Sequence, residues 1–352
     1  MQCSHRKGEI DMNMFTGRSR AASLPLFGSV AFFLIGSAVA LAQKQEQTPE
    51  LTGTVGFNAA RVRSLAITVG DGGTGPYKAV LMGDPRLPTH AIYRPRDLSP
   101  FGERMRLPIV AFANGGCRNS SGEFRNFLSQ VASNGFLIVA IGPAVNAATQ
   151  SWEAATGATQ SSLLTDGINW AVAENGRNDS PYFGKLDTAK LAVMGQSCGG
   201  VQALDIATSD PRISTAVILN SGVVNGTPPR GAGAADGFGS MTPMLQSVTK
   251  DRLQNLHSPI AYFIGGASDT AQQYAADDFP RIEKVPVFMA NRDVGHYPGT
   301  YREPNGGAFA IAVGGWLQWQ LKGDQTAAKM FAGASCGLCT DPKWQVERKL
   351  IQ

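Results

Sequence analysis

One junction constrains this chain more than any other feature. The apolar run Lys190 to Gly195 passes without a spacer into Gly195-Gln196-Ser197-Cys198-Gly199-Gly200, and Val201 to Leu204 can continue at once as a helix. A chain that changes from extended to helical backbone within one residue has no room for side chains beside the turn. This accounts for glycine on both sides of the serine. The hydroxyl of Ser197 would then project from the carboxyl end of a strand toward a helix N-terminus, a position that favours developing negative charge.

The rest of the sequence supplies the sheet that such a turn requires. Arg63 to Gly70 and Thr89 to Arg94 read as early strands. Arg106 to Ala113, Phe136 to Gly142, Lys190 to Gly195, Ile213 to Asn220, Ile260 to Gly265 and Val285 to Ala290 are near-continuous apolar runs. Glu123 to Ser133, with Phe124, Phe127, Leu128 and Val131 on one face, Ser161 to Glu174, and Ala308 to Leu321 read as helices. Apolar strands alternating with helices predict an α/β fold, with a mostly parallel central sheet of about eight strands and helices on both faces. Hydrophobic residues make up 43% of the 352 and charged residues 16%, enough for one large core. The formal charge is +4, with Lys and Arg scattered, so no basic patch for nucleic acid stands out.

The N-terminus reads as a targeting segment. Arg18 and Arg20 precede an apolar stretch, Leu24 to Leu41, too short and too rich in small residues for a comfortable membrane span. It ends in Ala38-Val39-Ala40 and Ala40-Leu41-Ala42, both small-x-small patterns, which predicts a signal peptide over 1–42, cleaved after Ala42. The alternative is an uncleaved anchor. The basic region is long, which makes Met12 and Met14 alternative starts of translation. A single catalytic domain over 43–352 is expected, secreted or periplasmic, with no stable membrane span after cleavage. Its 223–258 segment is a long excursion, rich in Gly, Pro and Ala from Val223 to Gly239. Lying between two strands, it is expected to border the substrate cleft. Cys3 leaves with the leader. Cys117, Cys198, Cys336 and Cys339 remain, an even set for an oxidising compartment.

The Gly-x-Ser-x-Gly turn makes Ser197 the candidate nucleophile, and a serine nucleophile needs a base. After the leader the chain has only His90, His257 and His296. His90 opens an early strand, and His257 ends a helical stretch as a cap or surface residue. His296 lies in a glycine-flanked loop just after the last apolar strand and is the candidate base. Asp269, after the strand Ile260 to Gly265, is the candidate orienter. The order Ser197, Asp269, His296 is the chain order of the strand-elbow hydrolases. Asp277 and Asp278 read as a solvated helix face, and Asp293 as the cap of its own turn. An oxyanion would be held by the backbone N–H of Cys198 and by one from Asn114-Gly115-Gly116-Cys117. Gly116 is the first choice there and Cys117 the second. If both loops aim at one oxygen, Cys117 and Cys198 come within reach of a disulfide, and Cys336 would pair with Cys339. The alternatives are buried thiols for the first pair and a redox pair for the second.

These residues resemble a known group. Residues 181–200, PYFGKLDTAKLAVMGQSCGG, are similar to the corresponding stretch of bacterial polyester hydrolases of the cutinase and PET-hydrolase kind. Val131 to Phe136 resembles a helix-to-strand junction in that group and in dienelactone-hydrolase-like enzymes. The resemblance implies an α/β-hydrolase fold, carboxylic-ester hydrolysis and no cofactor. Gln196 and Cys198 depart from the group, and Asn-Gly-Gly-Cys stands where it carries an aromatic after glycine. The expected activity is that of a serine esterase acting on small-molecule or polymeric esters through Ser197, His296 and Asp269, without a metal. The alternatives are a peptidase or amidase with the same residues, and a binding protein that kept the fold without the chemistry.

Overall fold

The computed structural model describes residues 66–149, 158–224, 242–297 and 299–352. The leader with its cleavage site, the polar stretch after it and most of the Val223 to Gly239 segment lie outside the described residues.

Nine strands form one sheet: β1 (Ala79–Met82), β2 (His90–Pro95), β3 (Leu107–Ala113), β4 (Leu137–Ile141), β5 (Leu186–Gln196), β6 (Ile213–Leu219), β7 (Ile260–Ile264), β8 (Val287–Asn291) and β9 (Gln345–Lys349). Their order across the sheet is β1-β2-β4-β3-β5-β6-β7-β8-β9. The six strands from β3 to β8 run parallel, while β1, β2 and β9 pair antiparallel at the edges. Two edge strands, β1 and β9, were not foreseen from the sequence, which explains nine strands against about eight. Of the expected strand Arg63 to Gly70, the described part contributes only a single bridge, Ile67 to Leu81.

The main helices are α1 (Arg125–Ser133), α2 (Ser162–Gly176), α3 (Cys198–Ala207), α4 (Gln272–Arg281) and α5 (Gly307–Lys322). Strand residues alternate between two cores, as the period of two requires. Along β3, Leu107, Ile109, Ala111 and Ala113 join Ile168 of α2 and Leu204 of α3, while Val110 and Phe112 join Leu128 of α1 and Trp316 of α5. Both faces are therefore covered, and this is why the central strands are apolar throughout rather than alternating. Thr215 is the one hydroxyl of β6 in this core that meets α5, where it accepts a hydrogen bond from the Trp316 indole N–H at 2.9 Å. The free carboxyl ends of the parallel strands all point to one edge of the sheet. β3, β5, β6, β7 and β8 each end there in a polar loop, and those loops carry the candidate site.

Candidate active site

Ser197 sits between β5 and α3 with φ +53° and ψ −121°, a conformation rare for a residue with a Cβ. Its neighbours show why the turn needs glycines. A Cβ on Gly195 would collide with the Gly199 carbonyl, and one on Gly199 with the Ala113 carbonyl of β3. The elbow is pinned by backbone groups: the Ser197 N–H donates to Leu219 O at 2.9 Å, and the Ser221 hydroxyl donates to Ser197 O at 2.6 Å.

His296 reaches this hydroxyl from the loop after β8. Its Nε2 lies 2.9 Å from Ser197 Oγ, and its Nδ1 lies 2.6 Å from Asp269 Oδ1. Asp269 is buried in the loop after β7. Its Oδ1 also accepts the Ala271 N–H at 2.9 Å, and its Oδ2 accepts the Gly265 N–H and Asn220 Nδ2, each at 2.8 Å. Burial alone would raise this carboxyl. The hydrogen bonds from His296, Ala271, Asn220 and Gly265 outweigh it and hold Asp269 below the usual carboxylate range. Asp269 is therefore an ionised acceptor facing Nδ1, which places the Nδ1 hydrogen between them and leaves Nε2 free to accept from Ser197.

The competing residues lie elsewhere. His90 is buried, its Nε2 lies 2.9 Å from Leu163 O, and burial lowers its pKa. His257 is exposed, after a 3₁₀ turn at Lys250–Asn255. Asp293 lies 3.5 Å from the Ser268 hydroxyl. The reading of Asp277 and Asp278 as a solvated face does not hold: Asp277 is half-buried and pairs with Lys250 and Arg281, each at 3.0 Å. Asp278 is fully buried and accepts from Lys250 Nζ at 2.6 Å, the Val223 N–H at 2.9 Å and the Tyr262 hydroxyl at 3.3 Å. Lys250 comes from a distant part of the chain, so neighbouring residues gave no sign of the pairing.

After β3, Gly115–Cys117 forms a 3₁₀ turn with Gly116 at φ +65° and Cys117 at φ +49°. Asn114 fixes the turn by donating Nδ2 to Arg118 O at 2.8 Å and to Ile141 O at 2.7 Å. Arg118 N–H donates to Gly115 O at 3.3 Å, and in this i→i+3 pattern Gly116 has no acceptor within the turn. The Cys198 N–H opens α3 and likewise has none within its helix. Cys117 and Cys198 are both buried and stand at disulfide distance, with Cα atoms 5.2 Å apart. Thr159 closes this corner, donating its N–H and its hydroxyl to Cys117 O, each at 2.9 Å. Cys336 and Cys339 also stand at disulfide distance, with Cα atoms 5.0 Å apart, away from the site.

Beside Ser197 and His296 opens a cavity of about 270 Å³ walled by Val201, Val224, Leu245, Ala271 and Tyr274. Among the described residues that line it, none is Asp, Glu, Lys or Arg. Val224 and Leu245 are the described residues on either side of the Gly/Pro-rich segment. The order of parallel strands, the Ser197 elbow on β5 and helices on both faces together decide the fold.

The chain has the α/β-hydrolase fold. Within it, residues 105–222 match a family model described as PET hydrolase-like. That stretch takes in β3, the oxyanion-side turn and the elbow, and stops before Asp269 and His296. No curated protein matches the chain.

Three features of this α/β hydrolase escaped the reading of its sequence. Asn220, at the end of β6, holds Asp269 and had no motif to mark it. Gln196 is fully buried and donates Nε2 to His296 O at 3.0 Å, while its Oε1 lies against Gly115 without a hydrogen-bond partner among the described residues. It sits between the His296 loop and the turn after β3, away from the cavity lining. Tyr297 follows His296, is 54% exposed, and packs edge-on against the imidazole with ring centroids 4.9 Å apart. It reaches Gly115 from the opposite side. An aromatic therefore stands beside the oxyanion-side turn, although the turn itself has none.

Proposed function

We propose that this protein is an exported serine hydrolase of carboxylic esters, with Ser197 as nucleophile, His296 as general base and acid, and Asp269 as its orienter. One observation carries the proposal: a single imidazole lies 2.9 Å from a strained serine hydroxyl and 2.6 Å from a buried, ionised carboxylate.

Ser197 Oγ attacks the ester carbonyl carbon while Nε2 of His296 takes its proton. The carbonyl electron pair moves to oxygen, where the N–H groups of Cys198 and Gly116 stabilise it. Collapse of this intermediate breaks the bond to the alcohol, which leaves with the proton from His296. Water then attacks the acyl-enzyme, gives its proton to His296, and releases the acid as the proton returns to Ser197. Asp269 stays ionised throughout and stabilises the imidazolium. The cycle consumes one water and requires no cofactor.

The uncharged, mostly apolar cavity supports a neutral acyl or alcohol group, and the exposed Tyr297 ring offers a face to flat substrates. Both small-molecule and polymeric esters fit that description. The two cysteine pairs at disulfide distance support a secreted or periplasmic location, and among the described residues no helix is long and apolar enough to cross a membrane. The test is hydrolysis of p-nitrophenyl esters of graded acyl length, beside matched anilides. Turnover of neutral esters well above anilides is expected, with Ser197→Ala slower by about a thousandfold or more. Faster anilide cleavage would make the protein an amidase.

A further inference from the structure

Asn220 is the first residue after β6, and its backbone has φ +44°, a region that Asn tolerates better than most residues. Its side chain is completely buried. Nδ2 lies 2.8 Å from Asp269 Oδ2 and 3.2 Å from the carbonyl oxygen of Gly295, and Oδ1 lies 2.6 Å from the Tyr301 hydroxyl. The chemistry fixes the amide's orientation. A carboxylate and a carbonyl only accept, so the NH₂ group must face them, and Oδ1 must face Tyr301. Tyr301 is then the donor. Its ring packs edge-on against Phe124, Phe127 and Phe309, with centroids 5.1, 5.3 and 5.8 Å away, which holds the hydroxyl in place.

One amide thus spans two loops. One hydrogen goes to the orienting carboxylate after β7, the other to the residue directly before His296. From this geometry we infer that Asn220, locked by Tyr301, is a positioning residue that sets the separation of Asp269 and His296 and hence the charge balance of the pair. The inference rests on the proposed roles of those two residues. Asp269 must keep both oxygens occupied while buried, because an unsatisfied carboxylate oxygen there carries a large desolvation penalty. Of the four donors that reach Asp269, two are backbone N–H groups fixed by its own loop. Asn220 adds a buried side-chain tie from this loop to the next, beside the Ser268–Asp293 contact at 3.5 Å and the Val294 and Gly295 N–H groups that donate to Gly265 O at 2.9 and 2.6 Å. Among the described residues, the other titratable groups around the pair are Tyr297, edge-on against the imidazole, Asp293 in the His296 loop, Tyr301 in the turn that follows, and Asp278 with Lys250 beneath Gly222 and Val223.

Two isosteric changes and one deletion test it in the full chain. The ring titration of His296 is followed by NMR, which needs no turnover. Asn220→Asp places a second carboxylate where a donor stood, and the titration midpoint is expected to move up by about one pH unit or more relative to wild type. Asn220→Gly keeps the backbone conformation and is expected to lower kcat about tenfold with KM within about twofold. Tyr301→Phe keeps the ring, frees the amide, and is expected to shift the His296 Nδ1–H resonance. A folded Asn220→Asp whose midpoint stays put, or an Asn220→Gly at wild-type kcat, would overturn the inference. Should Asn220→Asp not fold, an unchanged Nδ1–H resonance in Tyr301→Phe overturns it instead. Failure of the wild type to hydrolyse any ester, with the titration still responding to Asn220→Asp, would defeat the proposed function and leave this inference standing.

Discussion

Ser197 occupies backbone space that an L-residue enters at a cost, and the strain persists because Gly195 and Gly199 let β5, α3 and β3 close around it. The account predicts very different outcomes for glycines of identical chemistry. Gly199→Ala drives a Cβ into the Ala113 carbonyl, with no flexible side chain to yield, and should cost about 3 kcal/mol or prevent folding. Gly176→Ala, at the end of α2, has open space and ordinary backbone, and should be neutral or stabilise by about 0.5–1 kcal/mol. Thermal denaturation of the two variants checks this. At this scale the sequence was informative where a residue type announces a backbone requirement. The Gly-x-Ser-x-Gly turn, the scarcity of histidine and the chain order of Ser197, Asp269 and His296 led to three side chains that the fold brings together. Asn220 and Gln196 were illegible because an amide bears no mark of its partners. Their roles come from loops 75 and 100 residues away.

At the scale of elements, the parallel strands were readable because burial on both faces leaves them apolar throughout. The edges were not. β9 carries exposed Gln345 and Glu347 and half-buried Arg348 and Lys349, polar and charged as edge strands commonly are, and its pairing with β8 defines it. The helix α4 shows the same limit. Its Asp278 looked solvated until Lys250 folded against it. Burial is the main cause that pushes Asp278 up to about 6 from 3.8, with Lys250 opposing. The folded protein then holds this proton to higher pH than the unfolded chain does. Between pH 4 and 6 the unfolded state binds fewer protons, so this residue's contribution to stability falls as pH rises through that window. Urea denaturation at pH 4, 5 and 6 should show the wild type losing stability relative to Asp278→Asn, by about 2 kcal/mol across that window. A constant difference would mean that Asp278 is already ionised at pH 4 in the fold. The slope from Asp269 has the opposite sign and is common to both proteins, so it cancels in the comparison.

Across the whole molecule, the candidate chemistry depends on loops from five strands meeting at one edge, and covalent links bear on how firmly they meet. Cys117 and Cys198 are separated by 81 positions, and Cys336 and Cys339 by 3. Loop-closure entropy gives the longer link about 4–5 kcal/mol and the shorter about 2 kcal/mol. Replacing Cys117 and Cys198 with Ser should therefore lower the urea midpoint much more than replacing Cys336 and Cys339. It should also reduce kcat, since both proposed oxyanion donors sit on the segments that this proposed bond joins. Equal effects of the two replacements would contradict a bond between Cys117 and Cys198. The central claim is that Ser197 is an activated nucleophile, and covalent labelling tests it most directly. The account predicts that a fluorophosphonate adds once, on the peptide containing Ser197, and that Ser197→Ala abolishes the adduct while His296→Ala slows its formation by orders of magnitude. Folded wild-type protein that takes up no label, or a Ser197→Ala variant labelled as fast as the wild type, would contradict it.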